Sequence, residues 1–515
     1  MMARRSAGCR EWGGLALLAL PTMLLGLDVT ALYLVVPALS ADLGPTATET
    51  LWIMDAYGFF IAGFLITMGT LNDRIGRRRL LVVGSVAFAA ASVFAAFAPD
   101  ALWLIAARAL LGVAGATLMP STLSLIRALF PDPRRRALAI GVWATMFALG
   151  MAAGPVVGGV LVARFWWGAV FLLAVPVAAL VLVGAPALLP EHRTRAGRLD
   201  VLSVGLSLAA MLPIVYAIKH AAADGIGAQV VVAVLVGGGA GVAFVRRQLS
   251  LAEPLLDMKL FGDRGFSAAL SVLLVGLVGF GGVMFLVTQY LQLVAGLSPT
   301  TAGLWMGPPA LAMLIGAVGA PLVARRVAPG VVMAATLALS LGGYVLLASA
   351  GTDGVHAVVA GFALVYLGLG VIAALGTDIV VGAAPPEKSG SAAALSETVQ
   401  ELGIAAGVAL LGSLTTALYR GGVEAPSGLP ASETETYGDS LAGASSLADH
   451  LPAGALEHAR DVFTSGLNAA SLVAGAAIAV ASLACFVMLR HLRPLGDGEG
   501  EAEPIIPTSG SGDDR

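Results

Sequence analysis

Gly69-Thr70-Leu71-Asn72-Asp73-Arg74-Ile75-Gly76-Arg77-Arg78-Arg79-Leu80 is a short charged stretch set between two apolar runs, 51–71 and 80–98. An α-helix needs about 20 apolar residues at 1.5 Å rise each to cross a bilayer. The stretch therefore reads as a tight polar turn joining two membrane helices. Arginines at the membrane surface are expected wherever a loop faces the cytoplasm, so Arg74, Arg77, Arg78 and Arg79 need no further reason. Asp73 and Gly76 do. Gly69 to release the first helix, an acid beside a basic cluster, and a second glycine together specify a rigid turn rather than a mere anchor.

Working outward, apolar segments recur near 14–38, 51–71, 80–98, 102–126, 137–160, 169–189, 200–218, 227–245, 266–290, 302–324, 330–350, 355–381, 391–418 and 463–489. That is about fourteen spans by the hydropathy criterion. An even number places both termini on one side. With the termini in the cytoplasm, all but five of the 29 Lys and Arg fall on the inner side. Arg164, Lys219, Arg420 and Arg460 fall outside, and Arg108 lies within a helix. A wrong span count would scramble this alternation from the error onward. Composition agrees: 58% of the 515 residues are hydrophobic and 12% charged, with 65 glycines and a mean hydropathy of +0.90. Soluble domains carry about 25% charged residues, so a soluble globular protein is excluded. A net charge of −3 gives no reason to expect nucleic-acid binding.

The pattern gives six spans within 1–190, two spans with polar cytoplasmic connectors within 191–265, six spans within 266–494 and an acidic, Gly-rich tail (495–515) expected to be disordered. A long outer loop, 419–462, precedes the last span. It reads as a surface loop or as a small hairpin that lids an exit path, with an amphipathic helical pattern over Leu447–Val462. Arg4, Arg5 and Arg10 before Leu15–Leu27 imitate a signal peptide, but the apolar run is too long and contains Asp28, so an uncleaved first helix is expected. Cys9 and Cys485 both fall near the cytoplasmic face, where a disulfide is not expected, and no metal-ligand cluster or cofactor motif is evident. Gly382-Ala383-Ala384-Pro385-Pro386-Glu387-Lys388-Ser389 lacks the second glycine of a phosphate-binding loop and has prolines where N–H groups are needed. The six histidines are scattered. Neither an ATP-driven pump nor a membrane enzyme is indicated.

Carboxylates within spans cost about 2.5–3.5 kcal/mol each on insertion scales, so each one present calls for a reason. Asp28, Asp55, Glu397 and Glu401 are such acids; Asp378 lies nearer a helix end. Glu397 and Glu401 are four residues apart and share a helix face. Desolvation disfavours the charged form of a carboxyl, so acids lining an apolar cleft can exchange protons near neutral pH. When ionised they attract a lipophilic cation. The structural alternative is an interhelical hydrogen bond or an ion pair with Arg108, which is itself either a proton-relay group or a structural cation. A second pattern, Gly150-Met151-Ala152-Ala153-Gly154-Pro155-Val156-Val157-Gly158-Gly159, gives one smooth helix face, bent where Pro155 lacks an N–H. Generic helix packing is its plainer reading.

The stretch at 69–80 resembles the signature loop of the major facilitator superfamily, with Asn72 where a small residue is usual. Through that resemblance Asp73 would pair with arginines, Arg77 and Arg127 among them, and cap a helix of the opposite half. The 150–159 pattern resembles the motif of proton-coupled exporters in the superfamily. Leu27-Asp28-Val29-Thr30, Leu51-Trp52-Ile53-Met54-Asp55-Ala56-Tyr57 and Arg164-Phe165-Trp166-Trp167-Gly168 are similar to the drug:proton antiporters with about fourteen spans, in particular the pumps for quaternary ammonium compounds and methyl viologen. Segment 390–403 shares that likeness, but Ser396 stands where an acid is often found, and Met306-Gly307-Pro308-Pro309 replaces an acidic tenth helix. The resemblance implies an all-α major facilitator fold: two six-helix bundles around a cleft, plus two extra helices between them. It implies a monomer in the bacterial cytoplasmic membrane that exports lipophilic, monovalent cationic drugs or antiseptics in exchange for protons. A dedicated exporter of one antibiotic or secondary metabolite is the rival reading; an importer or a sensor is more remote. Asp28, Asp55, Glu397, Glu401 and Arg108 would couple protons to cations. Gly69, Asp73, Arg74, Gly76, Arg77 and Arg127 would gate, and Gly150, Gly154, Pro155, Gly158 and Gly159 would form the antiporter helix.

Overall fold

The computed structural model of the protein describes residues 2–191, 200–251, 254, 256, 258–383 and 389–491, and leaves undescribed the side chains of 2–9, 66, 70, 73, 133, 134, 137, 223, 224, 389–391 and 394. The acidic tail, Arg193, Arg195, Arg198, Lys388, Arg493 and Arg515 lie outside the described residues, as do the side chains of Arg4, Arg5, Cys9, Asp73 and Arg134. Among the described residues there is no strand. The first six helices are α1 (Met2–Leu43), α2 (Ala47–Ile75), α3 (Arg77–Ala96), α4 (Ala101–Leu129), α5 (Pro133–Arg164) and α6 (Ala174–Leu188). A hairpin follows, α7 (Val201–Asp224) and α8 (Ala228–Ser250). Then come α9 (Arg264–Gln289), α10 (Pro299–Trp305), α11 (Gly307–Ala324), α12 (Pro329–Ala348), α13 (Val355–Gly382), α14 (Ser389–Gly407) and α15 (Ser413–Gly422). Two short helices, α16 (Ala431–Asp439) and α17 (Leu441–Ser446), precede α18 (Ala455–Leu489). Pro308 and Pro309 start α11 and break what is otherwise one span with α10.

Among the described residues thirteen segments are long and apolar enough to cross a membrane; α2, 29 residues long and bearing Glu49, Asp55, Asp73 and Arg74, is not among them. Polar residues of the connectors start the helices. Thr46 and Glu49 close a reciprocal capping box on α2, while Asp100, Asp132, Asp200 and Asp263 each accept a backbone N–H in the first turn that follows. Gly76, with φ +113°, stops α2 and starts α3, a backbone conformation open to glycine and little else. Gly69 does not release the helix as its position suggested. It lies inside α2, which runs on to Ile75, and Gly76 alone makes the break.

Within the first six helices α1 packs on α5, α2 on α4, and α3 on α4 and α6; in the last group α9 packs on α13, α14 and α18, and α11 on α13. The two groups meet along α2–α14 and α5–α10. The α7–α8 hairpin leans on α2 and α15 and so covers one seam between the groups. Its base is tied by Arg247, whose Nη2 donates to Asp200 Oδ1 at 2.8 Å and whose Nε donates to Oδ2 at 3.3 Å. Burial pushes the Asp200 carboxyl up, but hydrogen bonds from Arg247 and Ser203 outweigh it and hold the group below the usual carboxylate range.

Helices have no hydrophobic reason to associate in lipid, so close backbone approach matters more than in water. On α5, a Cβ at Gly150 would lie 2.1 Å from the Met23 carbonyl oxygen, at Gly154 2.0 Å from Thr30 Oγ1 and at Gly158 2.6 Å from the Ala31 carbonyl oxygen. Three of the four glycines therefore face α1. Gly159 faces the start of α10, 2.3 Å by the same measure from the Pro299 carbonyl oxygen. Pro155 has no N–H for the carbonyl of Met151, and the Thr30 hydroxyl donates to that carbonyl instead, at 2.8 Å. The kink in α5 is thus sealed from α1.

The loop 419–462 folds as a small hairpin of α16 and α17 at the face opposite the chain termini. Asp439 receives the Ala47 N–H at the start of α2 (2.7 Å) with one oxygen and pairs with Arg420 of α15 through the other. Tyr419 donates to the Tyr437 carbonyl oxygen at 3.1 Å, and Tyr437 to that of Ala455 at 2.8 Å. Leu447–Val462 is not one amphipathic helix: α18 begins at Ala455, after Gly454 with φ +85°.

Thr30→Val should leave the Met151 carbonyl unpaired and lower stability by about 1–3 kcal/mol; thermal unfolding of the detergent-solubilised protein measures it, and an unchanged melting temperature would remove the seal. Asp200 contributes fully above the ordinary carboxylate value of about 3.9, and loses its contribution only as pH falls through its lower folded value. Asp200→Asn should therefore lower the melting temperature equally at pH 5 and pH 8.

Candidate functional site

The predicted acids converge from separate helices toward the middle of the bundle. Asp28 sits on α1, and its Oδ2 accepts from Arg108 Nη1 on α4 at 2.8 Å, the two side chains being 10% and 2% exposed. Arg108 Nε donates to the Ile53 carbonyl oxygen on α2 at 3.2 Å, and its guanidinium lies 4.7 Å from the Tyr57 ring centroid. One arginine thus joins α1, α2 and α4. Of the alternatives open for Asp28 and Arg108, the structure forms the ion pair.

Asp55 is matched as well, by Lys219. The hydropathy pattern places Lys219 on the outer side, because the seventh apolar run ends at Ile218. In the structure α7 continues to Asp224, and Lys219 is buried with its Nζ 2.9 Å from Asp55 Oδ1. The ammonium also lies 3.7 Å from the centroid of the Trp52 ring. The signal that could have found it was a lysine one residue past an apolar run, facing an acid that needed a partner.

Glu397 and Glu401 differ. Both lie on α14, and Glu401 is 5% exposed. Neither makes a hydrogen bond or ion pair with another described residue. Glu401 feels the charges of Glu397, Asp28 and Arg108, and the buried Tyr33 of α1 lies within electrostatic reach of Arg108, Asp55 and Glu401. Asp28, Asp55, Arg108 and Glu401 thus lie within electrostatic reach of one another or of Tyr33, and Glu397 lies one helical turn from Glu401 on α14. This cluster depends on the α2–α14 crossing, where a Cβ on Gly58 would lie 2.8 Å from Ala405 Cβ and 3.3 Å from the Glu401 carbonyl oxygen. Asp378 is exposed near the end of α13, as its position suggested. Beside Asp55, an apolar cavity of about 430 Å³ lies between α2, α4 and α7, walled by Trp52, Phe60, Trp103, Ile105 and Leu212 and open to the outer surface of the bundle at Leu102 and Trp103, which are 72% and 51% exposed.

The loop residues lie apart from this cluster. Arg77 Nη1 donates to the Ser124 carbonyl oxygen at 3.2 Å, and Asn72 Nδ2 to Ser124 Oγ at 3.0 Å, both bonds within the first six helices. Arg74 and Arg127 are exposed, and the Asp73 side chain lies outside the described residues. Among the described residues no group of His, Cys, Asp and Glu could hold a metal ion, and Cys485 is a buried free thiol.

Comparison with known proteins gives a consistent picture. The family model described as Major Facilitator Superfamily matches residues 18–408. The multidrug efflux pump LfrA of Mycolicibacterium smegmatis is 43% identical over 488 residues, covering 94% of this chain and 97% of its own. The methyl viologen resistance protein SmvA of Salmonella typhimurium is 35% identical over 452 residues, covering 86% and 90%. Among solved structures, a bacterial homologue of the human lysosomal transporter Spinster, in an inward-facing and unoccupied conformation, superposes with a TM-score of 0.67 at 15% identity, over 93% of this chain and 97% of that one.

Removing one member of a buried ion pair costs about 3–5 kcal/mol, whereas removing both is far milder. Asp28→Asn and Arg108→Met should each destabilise the protein to that extent and the double variant by less than their sum. Additive effects in chemical or thermal unfolding would show that the pair is not coupled.

Proposed function

The chain belongs to the major facilitator superfamily, and from that premise we propose that it is a proton-coupled antiporter exporting lipophilic cations across a bacterial cytoplasmic membrane. It is a multi-pass membrane transporter and not an enzyme. The observation that carries the proposal is the charge balance of the cluster. Asp28 pairs with Arg108 and Asp55 with Lys219, each pair neutral, while Glu397 and Glu401 form no ion pair with a described residue. Two acids on one helix face in an apolar interior are tolerable when they hold protons or a bound cation. They are the natural point of competition. Protons entering from outside displace the cation outward, and a cation from inside displaces protons inward. Each net charge carried inward down 100 mV supplies about 2.3 kcal/mol, enough for roughly a 50-fold concentration ratio. A monovalent cation exchanged for one proton moves no net charge and is driven by the pH gradient, so the potential contributes when more than one proton enters per cation.

Other features support the same reading. Relatives named for multidrug efflux and methyl viologen resistance align over most of the chain. The glycine face of α5 against α1 resembles the exporter motif and supplies a rigid pair that can rock as a unit about the α5–α10 contact. Basic residues gather on the face that carries the chain termini, which we assign to the cytoplasm. On this assignment Asp439, Arg420 and the start of α2 form a strap across the outer face, and Asp73, Arg74, Arg77 and Arg127 meet the opposite half when the inner face closes. Residues 1–190 and 266–494 act as the two moving halves of a monomer.

Purified protein in weakly buffered detergent should release protons when tetraphenylphosphonium is added. Its affinity for that cation should rise with pH, by up to about tenfold per unit for each proton displaced. Glu401→Gln should reduce the release and flatten the pH dependence, with Glu397→Gln acting in the same direction. Proton release that survives the double substitution would rule out these acids as the coupling site.

A further inference from the structure

Lys219 has no part in the exchange just described, yet it and Asp55 are both fully buried in the side chain. Three observations set this pair apart from an ordinary structural ion pair. The first is the aromatic wall: an ammonium 3.7 Å from the Trp52 centroid, beside a carboxylate, has the surroundings a bound organic cation requires. The second is incomplete satisfaction. Asp55 Oδ1 accepts from Lys219, but Oδ2 is buried with no hydrogen-bond partner, whereas a buried pair made for stability needs its remaining lone pairs filled. The third is the apolar cavity of about 430 Å³, which shares Trp52 with the ion pair and takes Leu212 from the same helix as Lys219. Its volume falls in the range of small-molecule sites. Its lining is wholly apolar and includes neither Asp55 nor Lys219, so a ligand's charged end would reach the acid past Trp52 and Ala56, the residue next to Asp55.

We propose that Lys219 is a tethered cation that holds the Asp55–Trp52 subsite in the empty transporter, and that the charged end of a monovalent lipophilic cation displaces it while the apolar body fills the adjacent cavity. Asp55 then faces one positive charge both before and after loading, so the exchange never leaves a lone carboxylate in the apolar interior. A neutral amphiphile of the same shape cannot drive the exchange, and a second charge on the ligand would go unpaired at this subsite. Lys219 has somewhere to go. It lies five residues from the end of α7, about 8 Å at the helical rise, and a lysine stem can carry its ammonium toward the interface over such a distance. α7 itself packs only at one seam and on α8, with much of its remaining surface toward lipid.

This inference rests on the proposed transport of lipophilic cations, and binding of tetraphenylphosphonium to the full-length protein in lipid nanodiscs separates the two. Lys219→Met should tighten binding about tenfold by freeing the subsite. Lys219→Arg should weaken it about tenfold, since a guanidinium can engage both carboxylate oxygens. Ala106→Trp, at the lip of the cavity, should also weaken binding. Unchanged or weaker affinity in Lys219→Met, with Lys219→Arg equal to wild type, would make Lys219 a structural counter-ion and overturn the proposal while leaving proton-coupled cation exchange at Glu397 and Glu401 intact. Should Lys219→Met fail to fold, the Lys219→Arg result decides alone. Shifts in the lysine variants with none in Ala106→Trp would assign the cavity to a lipid chain and overturn its role as the ligand-body site. Absence of binding in wild type and all variants would sink both the cation reading and this one.

Discussion

A carboxylate in the middle of an apolar bundle has no water to lean on, and this constraint orders the interior of the protein. Each acid must find a cation, a proton or a ligand. Asp28 finds Arg108, which also donates to the Ile53 carbonyl oxygen, so one arginine holds α1, α2 and α4 in register. Asp55 finds Lys219, and that pair fixes the α7–α8 hairpin onto α2. The same requirement that keeps charges paired thus determines which helices touch. Among the described residues Glu397 and Glu401 remain unpaired, and they lie on α14, which meets α2 at the contact between the two helix groups.

Close backbone packing makes these pairings possible. Gly58 lets α14 approach α2 and carries Glu401 toward the Asp28–Arg108 pair. On α5, Gly150, Gly154 and Gly158 bring α1 near enough for Thr30 to complete the hydrogen bond that Pro155 cannot make. The proline weakens α5 and the threonine repairs it from outside. The α1–α5 pair is thus closely joined. Gly159 and Gly303, where a Cβ would lie 2.6 Å from the Pro155 carbonyl oxygen, let α10 approach the backbone of α5, with the Thr300 hydroxyl donating across the contact to the Gly159 carbonyl oxygen.

Much of this was legible in the sequence. Apolar runs and basic loops are properties of composition along the chain, and they mark closely the thirteen segments that are long and apolar enough to cross a membrane among the described residues. The capping box Thr46–Glu49 and the turn glycine Gly76 are local and readable for the same reason. The acids Asp28, Asp55, Glu397 and Glu401 stood out because hydropathy alone would exclude them. Their partners did not. Whether Asp28 meets Arg108 or water depends on helix rotation, which apolar periodicity in a bundle surrounded by lipid barely constrains. Lys219 was misplaced because hydropathy ends a span at the first charge, whereas the backbone carries α7 on to Asp224. Gly69 was overread for a related cause: glycine inside a membrane helix is ordinary, and positive φ, which no residue count reveals, is what breaks the chain at Gly76.

The α7–α8 hairpin then acquires a role beyond linkage. Without it, the cluster would hold four acids against Arg108 alone, a net charge of three to be met by protons or ligand. With Lys219 in place Asp55 is neutralised in the resting state, and the uncompensated charge is confined to two glutamates on one helix. On the proposed antiport reading, fewer empty acids mean fewer protons exchanged per cycle, and a smaller mismatch when the bound cation carries a single charge. On that reading the α7–α8 hairpin is positioned to set the charge stoichiometry of the site, through Lys219, the one buried lysine among the described residues.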